Sequence, residues 1–408
     1  MDSNLSLNNL ASLLRRSWNN EQLNVCDYDV ADLVPIGENF GSHMIRVRAK
    51  VQHNKNSVIK DHEFVAKTIL PTNCLINWTR LFEKELFMYT TIVPFYREME
   101  IESKTHEDEK ICELFPTLCG YRMSLTPNSK IADEDAVILF QDLRVEGFRT
   151  MDRKIGLDMD HAEMALKALA KFHAFGVVAK LKYPSKFEKL RLESQKPGFG
   201  CDGMGEICVK LIDLMRVDDR LSRFVNKFEK LVDLNSKNSE PQLLKHNVWS
   251  SIIHYDFWTS NIMFHHDEAG NVNGVKLIDF QTYTYANVSA DLVYFLCTSL
   301  CKELMVTNFN HFVDTYHKTL RHSLETFQVY SDIFSKREFV NRLKNDAALE
   351  LVHCVFSLYF FTAELEDFND EQKKDILTTI MNSQANDLFL DKLLTLFEVY
   401  EREDWFGE

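Results

Sequence analysis

The segment His254-Tyr255-Asp256-Phe257-Trp258-Thr259-Ser260-Asn261 decides how the rest of this chain is interpreted. An aspartate, four residues and then an asparagine is the spacing of a kinase catalytic loop. In such loops the aspartate accepts a proton from the attacking hydroxyl, and the asparagine holds a divalent metal. Asp256 and Asn261 are predicted to take these catalytic roles, with His254 beside them. The pattern indicates transfer of a phosphoryl group from ATP to a hydroxyl.

A second carboxylate follows in the stretch Leu277-Ile278-Asp279-Phe280-Gln281. Residues 262–264 and 275–278 have the character of short strands, and the segment between them is rich in turn-forming residues. An antiparallel hairpin would bring Asn261, before the first strand, close to Asp279, after the second. Magnesium prefers oxygen ligands and needs few of them from the protein. Asn261 and Asp279 are therefore predicted to hold Mg²⁺.

Lys67 and Glu85 are candidates for holding the nucleotide. Lys67 ends a predicted strand, and Glu85 lies on the helix predicted to follow. A lysine that touches the phosphates and is held by a helix glutamate is what the kinase mechanism needs. Single residues make weak motifs, so exposed surface positions for both remain an alternative.

Two further segments are candidates for contacts with the nucleotide. Gly37 and Gly41 would let backbone N–H groups approach phosphates, although a plain hairpin turn is equally compatible with them. The stretch Gln141-Asp142-Leu143 would form the hinge, where backbone groups bond the adenine edge. Asp142 is equally well explained as a turn residue.

The chain is long enough for two lobes with separate cores, since it has 408 residues and 45% hydrophobic content. Alternating patterns predict three antiparallel strands at 44–49, 57–59 and 63–67, and a buried strand at 136–140. Helical spacing dominates later, over 160–179, 205–234, 336–361 and 371–400. We therefore expect an α+β fold. Residues 1–143 would form a small antiparallel-sheet, nucleotide-binding lobe that ends in the hinge. Residues 144–408 would form a large, mainly helical lobe with the catalytic loop and the acceptor pocket.

Composition argues against several kinds of partner and gives an expectation for the cellular compartment. A formal charge of -14 argues against nucleic acid or an anionic membrane as the partner. Nine scattered cysteines fit reduced thiols better than a disulfide framework. The longest apolar stretch, Leu351 to Phe361, is too short to span a bilayer, and the N-terminus has no signal-peptide pattern. We expect a cytoplasmic protein without membrane insertion; its oligomeric state stays open.

These motifs together resemble the ecdysteroid kinase-like proteins of insects, also called CHK kinase-like, which are distant relatives of choline kinases and aminoglycoside phosphotransferases. The resemblance covers nearly the whole chain in order and rests on the following segments: Val65 to Lys67, Phe82 to Tyr89, Ile138 to Leu143, Leu169 to Ala174, His254 to Phe264, Leu277 to Gln281 and Ala290 to Leu292.

The resemblance implies a protein-kinase-like fold and ATP-dependent phosphorylation of a small-molecule alcohol, with ecdysteroids and dietary or foreign alcohols as candidate substrates. By position, Lys67 would bind phosphate and Glu85 would pair with it. Asp256 would be the base, Asn261 and Asp279 the Mg²⁺ ligands, and His254 a brace for the loop.

The sequence departs from the family pattern at two positions. Gln141 stands where an acidic residue is more usual, and we expect little effect because adenine is read there mainly by backbone groups. Tyr255 stands where glycine is frequent, so its ring is expected to tighten the loop or to line the acceptor pocket.

Neighbouring polar residues have plainer interpretations. Thr259 and Ser260 are expected to cap a turn rather than to contact substrate. His173 is expected to be a hydrogen-bonded core histidine, and Asp291 either supports the catalytic loop or caps its helix.

Two other functions are compatible with parts of this pattern. One is a catalytically silent binding protein on the same fold. The other is a metal-dependent phosphohydrolase using His254, Asp256 and Asp279, which would normally need more histidines.

Overall fold

The computed structural model describes residues 7, 9–33, 42–69, 77–104, 106, 110–126, 128–197, 204–237, 247–364, 368 and 376–407. The loop with Gly37 and Gly41 lies outside the described residues, so its predicted contact with phosphates stays a prediction.

The N-terminal part is a five-stranded antiparallel sheet. Its elements are helix α1 (Leu10–Ser17) and strands β1 (Asn24–Asp32), β2 (His43–Gln52), β3 (Lys60–Thr68), β4 (Leu118–Arg122) and β5 (Val137–Gln141). The strand order is β1-β2-β3-β5-β4. Leucines of α1, such as Leu13 and Leu14, pack with Val47 and Leu139 in a core on one side of this sheet. The order places β3, which carries Lys67, in the middle of the sheet.

The predicted strand at Ser57–Ile59 is wrong. These residues lie outside the strands, and Val58 and Ile59 are exposed. The polar residues before them form a turn in which Ser57 Oγ donates to the carbonyl of Asn54 at 2.9 Å. Two apolar residues, Val58 and Ile59, are too few to overcome that turn chemistry. The strand β1 was not predicted, because its mostly exposed residues show little of the alternation by which strands are recognised.

Helix α2 (Trp78–Phe87) follows the sheet's third strand. Asn77 begins it by accepting a hydrogen bond from the backbone N–H of Arg80 at 2.9 Å. A π-helical turn (Met88–Ile92) joins it to α3 (Val93–Ser103). One face of α2 buries Leu81 and Leu86 together with Glu85. The helix therefore presents a charged group to the interior, which requires a partner there.

The C-terminal part is mainly helical. Its helices are α4 (Met159–Lys182), α5 (Pro184–Ser194), α6 (Met204–Val217), α7 (Val225–Lys237), α8 (Val288–Thr298), α9 (Lys302–Thr307), α10 (Phe309–Thr326), α11 (Lys336–Phe361), α12 (Ile376–Asn382) and α13 (Asp387–Arg402). The prediction for 336–361 is confirmed to the residue. Single helices over 205–234 and 371–400 are wrong, because each predicted segment contains two helices.

Side chains that compete for backbone N–H groups explain both breaks. Asp218 Oδ1 accepts from the backbone N–H groups of Arg220 and Leu221 at 2.8 and 3.3 Å, which starts a new turn between α6 and α7. Asn386 accepts from the N–H of Phe389 at 2.9 Å and starts α13. Helical periodicity continues through such caps, so it does not reveal them.

The predicted hairpin around the second carboxylate is confirmed. Strands β7 (Ile262–His266) and β8 (Val272–Leu277) pair antiparallel, with Ile262 opposite Leu277. A second pair, β6 (Ser250–Ile253) with β9 (Thr284–Asn287), was not predicted from the sequence. The predicted catalytic loop, residues 254–261, connects β6 to β7, and all residues of α8 are buried.

The expected fold class is confirmed. A small antiparallel sheet with α2 inserted after its third strand precedes a large helical part that contains the hairpin, which is a two-lobe α+β, protein-kinase-like arrangement. The boundary between the lobes at residues 143 and 144 stays a prediction.

Helix α4 approaches β6 so closely that Gly176 has no space for a side chain. A Cβ there would lie 2.0 Å from Ser251 Oγ and 3.1 Å from both the Ile252 nitrogen and the Tyr96 hydroxyl oxygen. Ser251 Oγ already donates to the carbonyl of His173 at 2.8 Å. The β6 strand leads into the catalytic segment, so this contact sets the position of the site.

We predict that Gly176→Ala lowers the free energy of unfolding by about 1–3 kcal/mol, because the added methyl overpacks the α4–β6 contact. Gly205→Ala is the control, since a Cβ there meets no atom within 4 Å. Thermal and urea unfolding of both variants test this. Equal stability of the two would contradict the close approach.

Candidate active site

The ammonium group of Lys67 joins three segments of the chain. Its Nζ lies 2.5 Å from Glu85 Oε2 on α2 and 2.6 Å from Asp279 Oδ1, just after β8. Lys67 and Glu85 are buried, and Asp279 is largely so. Burial acts to lower the pKa of Lys67, but the charges of Asp279 and Glu85 outweigh it and hold that pKa above its usual value. Lys67 is therefore charged at neutral pH and pairs with both carboxylates.

The carboxylate of Asp256 is held from two sides. Asn261 Nδ2 donates to Asp256 Oδ2 and to the Asp256 backbone carbonyl, both at 2.9 Å. The hydroxyl of Tyr294, on α8, lies 3.0 Å from Asp256 Oδ1. Burial raises the pKa of Asp256, and the negative charge of Asp279 adds to that effect, whereas His254 opposes it. Asp256 and Asp279 thus lie near enough for their charges to interact.

A buried carboxylate on α8 fixes the backbone of the catalytic loop. Asp291 accepts from the backbone N–H groups of His254 and Tyr255 at 2.7 and 2.8 Å. His173 Nε2 lies 3.1 Å from the same carboxylate, and its Nδ1 lies 2.6 Å from the Tyr316 hydroxyl. Of the two roles considered for Asp291, the contacts match support of the loop. His173 is the hydrogen-bonded core histidine that was expected, and it steadies Asp291.

His254 connects the loop to the hairpin. Its Nε2 donates to the carbonyl of Ile278 at 2.9 Å, directly before Asp279. The backbone N–H of Ile278 in turn donates to the carbonyl of Asn261 at 3.1 Å. These two hydrogen bonds hold the ends of the loop against the end of β8, so the segments with Asp256 and Asp279 are positioned together.

Two residues of the site have left-handed backbone conformations. Tyr255 has φ of 66° and Asp279 has φ of 63°. For a bulky side chain this conformation costs about 1–2 kcal/mol, which explains why glycine suits position 255. The Tyr255 ring instead packs on His353 of α11, with ring centroids 4.9 Å apart. This contact and the N–H bond to Asp291 offset the strain. Of the two expectations for Tyr255, the contacts fit the one in which its ring tightens the loop.

The residues present fit a divalent metal bound together with a nucleotide. Both hydrogens of the Asn261 amide group point to Asp256 acceptors, which leaves its oxygen available as a ligand. Asp279 uses only Oδ1 for Lys67 within the described contacts. Three carboxyl groups, those of Glu85, Asp279 and Asp256, accompany the single ammonium group of Lys67, although burial raises the pKa of Glu85 and of Asp256. A polyphosphate can enter such a site only together with a cation.

The polar side chains of the predicted hinge form hydrogen bonds with neighbouring residues of the protein. Gln141 Nε2 donates to Glu146 Oε1, and Asp142 accepts from Arg144 through both carboxylate oxygens. The Asp142 N–H donates to the carbonyl of Glu63. The N–H of Leu143 has no acceptor within the described part of the chain, so it is free to bond an adenine edge. The roles of Gln141 and Leu143 at the nucleotide stay predictions.

Other observations delimit the site. Thr259 Oγ1 donates to the carbonyl of Ser299 at 3.4 Å. Thr259 and Ser260 lie in a short 3₁₀ turn (Thr259–Asn261), and their capping of a turn stays a prediction. A groove of about 590 Å³ between α4 and the β7–β8 hairpin contains none of the predicted site residues and is not assigned to it.

Three further expectations for the described part of the chain concern metal clusters, membrane spans and cysteines. Nowhere in that part of the chain do three or more His, Cys, Asp or Glu side chains form a group able to hold a metal ion, which is what a phosphohydrolase centre would use. No described helix has the length and apolar character needed to cross a membrane. The seven described cysteines are free thiols.

Sequence reasoning missed the residues of α8 and α11 that surround Asp256. Tyr294 contacts its carboxylate, and Ser357 and His353 contact Tyr294. Tyr294 lies three residues after Asp291, and that helical spacing places both on one face. This signal was available from the sequence. Nothing in the sequence around α11 indicated that it lies beside the catalytic loop.

The chain has distant structural neighbours among small-molecule kinases. Plasmodium vivax ethanolamine kinase has 12% identity and a TM-score of 0.39, over 92% of this chain and 82% of that one. Cryptosporidium parvum choline kinase has 12% identity and a TM-score of 0.44, over 92% and 90%. An amicoumacin kinase in complex with AMP-PNP and Ca²⁺ has 10% identity and a TM-score of 0.39, over 91% of both chains.

These scores are too low to support an argument about function. The sequence has no significant match among curated proteins. The pattern of one protein family does match, over residues 36–329, and this range includes Lys67, Glu85, the catalytic loop, Asp279 and Asp291. On this match, which covers most of its length, the chain belongs to the ecdysteroid kinase-like family.

Proposed function

We propose that this protein is an ATP-dependent kinase that phosphorylates a hydroxyl group of a small molecule. One observation supports the proposal most directly. Residues predicted from four separate segments form a connected set, in which Lys67 pairs with Glu85 and Asp279 while Asp256 pairs with Asn261. The backbone hydrogen bond from Ile278, next to Asp279, to Asn261 links these two groups. Phosphoryl transfer needs this combination of a phosphate-binding lysine, metal ligands and a base.

In the proposed reaction, the acceptor oxygen forms a bond to the γ-phosphorus, and the bond from that phosphorus to the β,γ-bridging oxygen breaks. ADP leaves, and Asp256 takes the proton of the acceptor hydroxyl. Asp256 can do so because each carboxylate oxygen keeps a free lone pair beside its existing hydrogen bond. A bound Mg²⁺, held by Asn261 and Asp279, would supply positive charge for the phosphate oxygens.

Lys67 has a second role once the nucleotide binds. Its ammonium group is held by Glu85 on one side and by Asp279 on the other. Phosphate oxygens compete with Asp279 for this cation, while Glu85 keeps the lysine in place. That exchange frees a carboxylate oxygen of Asp279 for the metal. The proposal therefore includes Lys67 as a phosphate ligand and Glu85 as its positioning partner.

The acceptor is proposed to be an ecdysteroid or a dietary or foreign alcohol, as family membership suggests, and the proposed role is detoxification in the cytoplasm. The Tyr255 ring beside Asp256 is partly exposed and is consistent with a neutral, largely apolar alcohol, whereas Trp258 and Tyr294 are buried. The same surroundings suit a silent binding protein, so turnover has to be measured.

The decisive experiment offers the protein a panel of steroid and phenolic alcohols with labelled ATP and Mg²⁺, and detects the gain of a phosphate by mass spectrometry. We predict that at least one alcohol is phosphorylated and that Asp256→Asn lowers the rate by about a hundredfold or more, because the amide cannot accept the proton. ATP binding of this variant should stay within about twofold of wild type.

Asp391→Asn is the matched control, since it makes the same chemical change at an exposed aspartate paired with Arg220 on the surface. This variant should keep wild-type turnover. Full activity of Asp256→Asn would show that Asp256 is not the base. ATP binding without turnover on any acceptor, water included, would favour the silent binding protein.

We predict that Asp279→Ala removes the dependence of ATP binding on Mg²⁺, because it deletes a proposed oxygen ligand. Calorimetry with ATP, at fixed protein concentration with and without Mg²⁺, measures this. In wild type the metal should tighten binding at least about tenfold, and in the variant it should have little effect. Asp391→Ala is the control and should behave as wild type. An unchanged Mg²⁺ effect in Asp279→Ala would contradict the assignment.

A further inference from the structure

The carboxylate of Asp256 can rotate about its side-chain bond, so its orientation has to be fixed by the surrounding protein. The terminal torsion of an aspartate side chain is broad, so the carboxylate rotates unless hydrogen bonds hold it. Asn261 Nδ2 holds Oδ2 at 2.9 Å, but Asn261 is also the proposed metal ligand. A second, independent hold on Oδ1 would keep the base aimed when the metal and nucleotide arrive. The structure contains one.

The hydroxyl of Tyr294 lies 3.0 Å from Asp256 Oδ1 and 2.9 Å from Ser357 Oγ. A phenol has a single proton, and the carboxylate is the stronger acceptor. When Tyr294 donates to Asp256, the Ser357 hydroxyl must therefore donate to Tyr294. Burial, reinforced by the charge of Asp256, raises the pKa of Tyr294 well above its usual value, so the phenol keeps its proton. The result is a relay from Ser357 through Tyr294 to Asp256.

The ring of Tyr294 is itself fixed. It stacks on His353 with ring centroids 4.4 Å apart and an interplanar angle of 23°, and its exposed fraction is only 2%. His353 is held in turn by Glu350, whose Oε2 lies 3.0 Å from His353 Nδ1. His353 and Ser357 are four residues apart on α11, so one face of that helix supplies both contacts. The phenol cannot swing away without breaking the stack.

Helix α8 combines this contact with support of the loop backbone. Asp291 accepts the N–H groups of His254 and Tyr255, and Tyr294 reaches the side chain of Asp256 one turn later. One rigid, fully buried helix thus sets both the path of the loop and the orientation of the base.

We propose that Tyr294 is a positioning residue for phosphoryl transfer, acting on Asp256 through its hydroxyl, and that Ser357 acts through Tyr294. The inference rests on the proposed function, since it assigns a role relative to the catalytic base. It predicts that the hydroxyl of Tyr294 matters for turnover and not for nucleotide affinity, because Tyr294 contacts neither Lys67 nor Asp279 among the described interactions.

The test is a double-mutant cycle with Tyr294→Phe, Ser357→Ala and the double variant. Turnover of Mg²⁺–ATP is measured with water as the acceptor, so that the identity of the alcohol does not matter. Tyr400→Phe is the control, since it also removes a buried tyrosine hydroxyl, one that donates to the carbonyl of Ala347 at 2.9 Å. Melting temperature and the KM for ATP are measured on all variants.

We expect Tyr294→Phe to lower kcat about ten- to a hundredfold, the usual effect of a lost hydrogen bond to a charged group. Its KM for ATP should stay within about twofold of wild type, and its melting temperature should fall no more than that of Tyr400→Phe. Ser357→Ala should lower kcat by about threefold. The double variant should be no slower than Tyr294→Phe, because the serine acts only through the phenol.

Three other outcomes would each contradict one specific claim. A kcat of Tyr294→Phe equal to that of Tyr400→Phe removes the positioning role while leaving the proposed function intact. Multiplied effects in the double variant remove the relay from Ser357. A wild-type protein that turns over no ATP, with water or with any alcohol, overturns the proposed function and this role with it.

Discussion

The buried ammonium group of Lys67 is the interaction on which the arrangement of the site depends. A lysine in the interior is strongly unfavourable unless it is paired, and here it has two carboxylate partners from different parts of the chain. Glu85 comes from the helix beside the sheet, and Asp279 comes from the end of a hairpin about two hundred residues later. The sheet, α2 and the hairpin therefore have to come together for both carboxylates to pair with the lysine. Stability and site assembly are coupled through this one cluster.

A second constraint comes from α8. The catalytic loop contains a tyrosine in a left-handed conformation, and a loop of that kind does not stay in place by itself. Asp291 takes up the two N–H groups at the strained position, and His173 and Tyr316 hold Asp291 from behind. Because α8 is buried along its whole length, this support is rigid. The strain at Tyr255 is thus offset by packing and hydrogen bonds that lie outside the loop.

Helix α11 accounts for the departure from glycine at position 255. Its His353 packs against both Tyr255 and Tyr294, so the bulky ring has a surface to rest on. A glycine would leave this surface uncovered. The loop, α8 and α11 form one packed unit around Asp256.

The sequence by itself determined the elements whose signals are local. The turn-rich segment between β7 and β8 and the periodicity of α11 each predicted an element that the structure contains. Strand β1 was missed because an exposed edge strand needs no alternation, and the break at Asp218 was missed because a side-chain cap leaves the helical period intact. Only the tertiary structure decided which side chains meet. The pairing of Lys67 with Asp279 and the contact of Tyr294 with Asp256 depend on how distant elements pack, and short-range patterns hold no record of that packing.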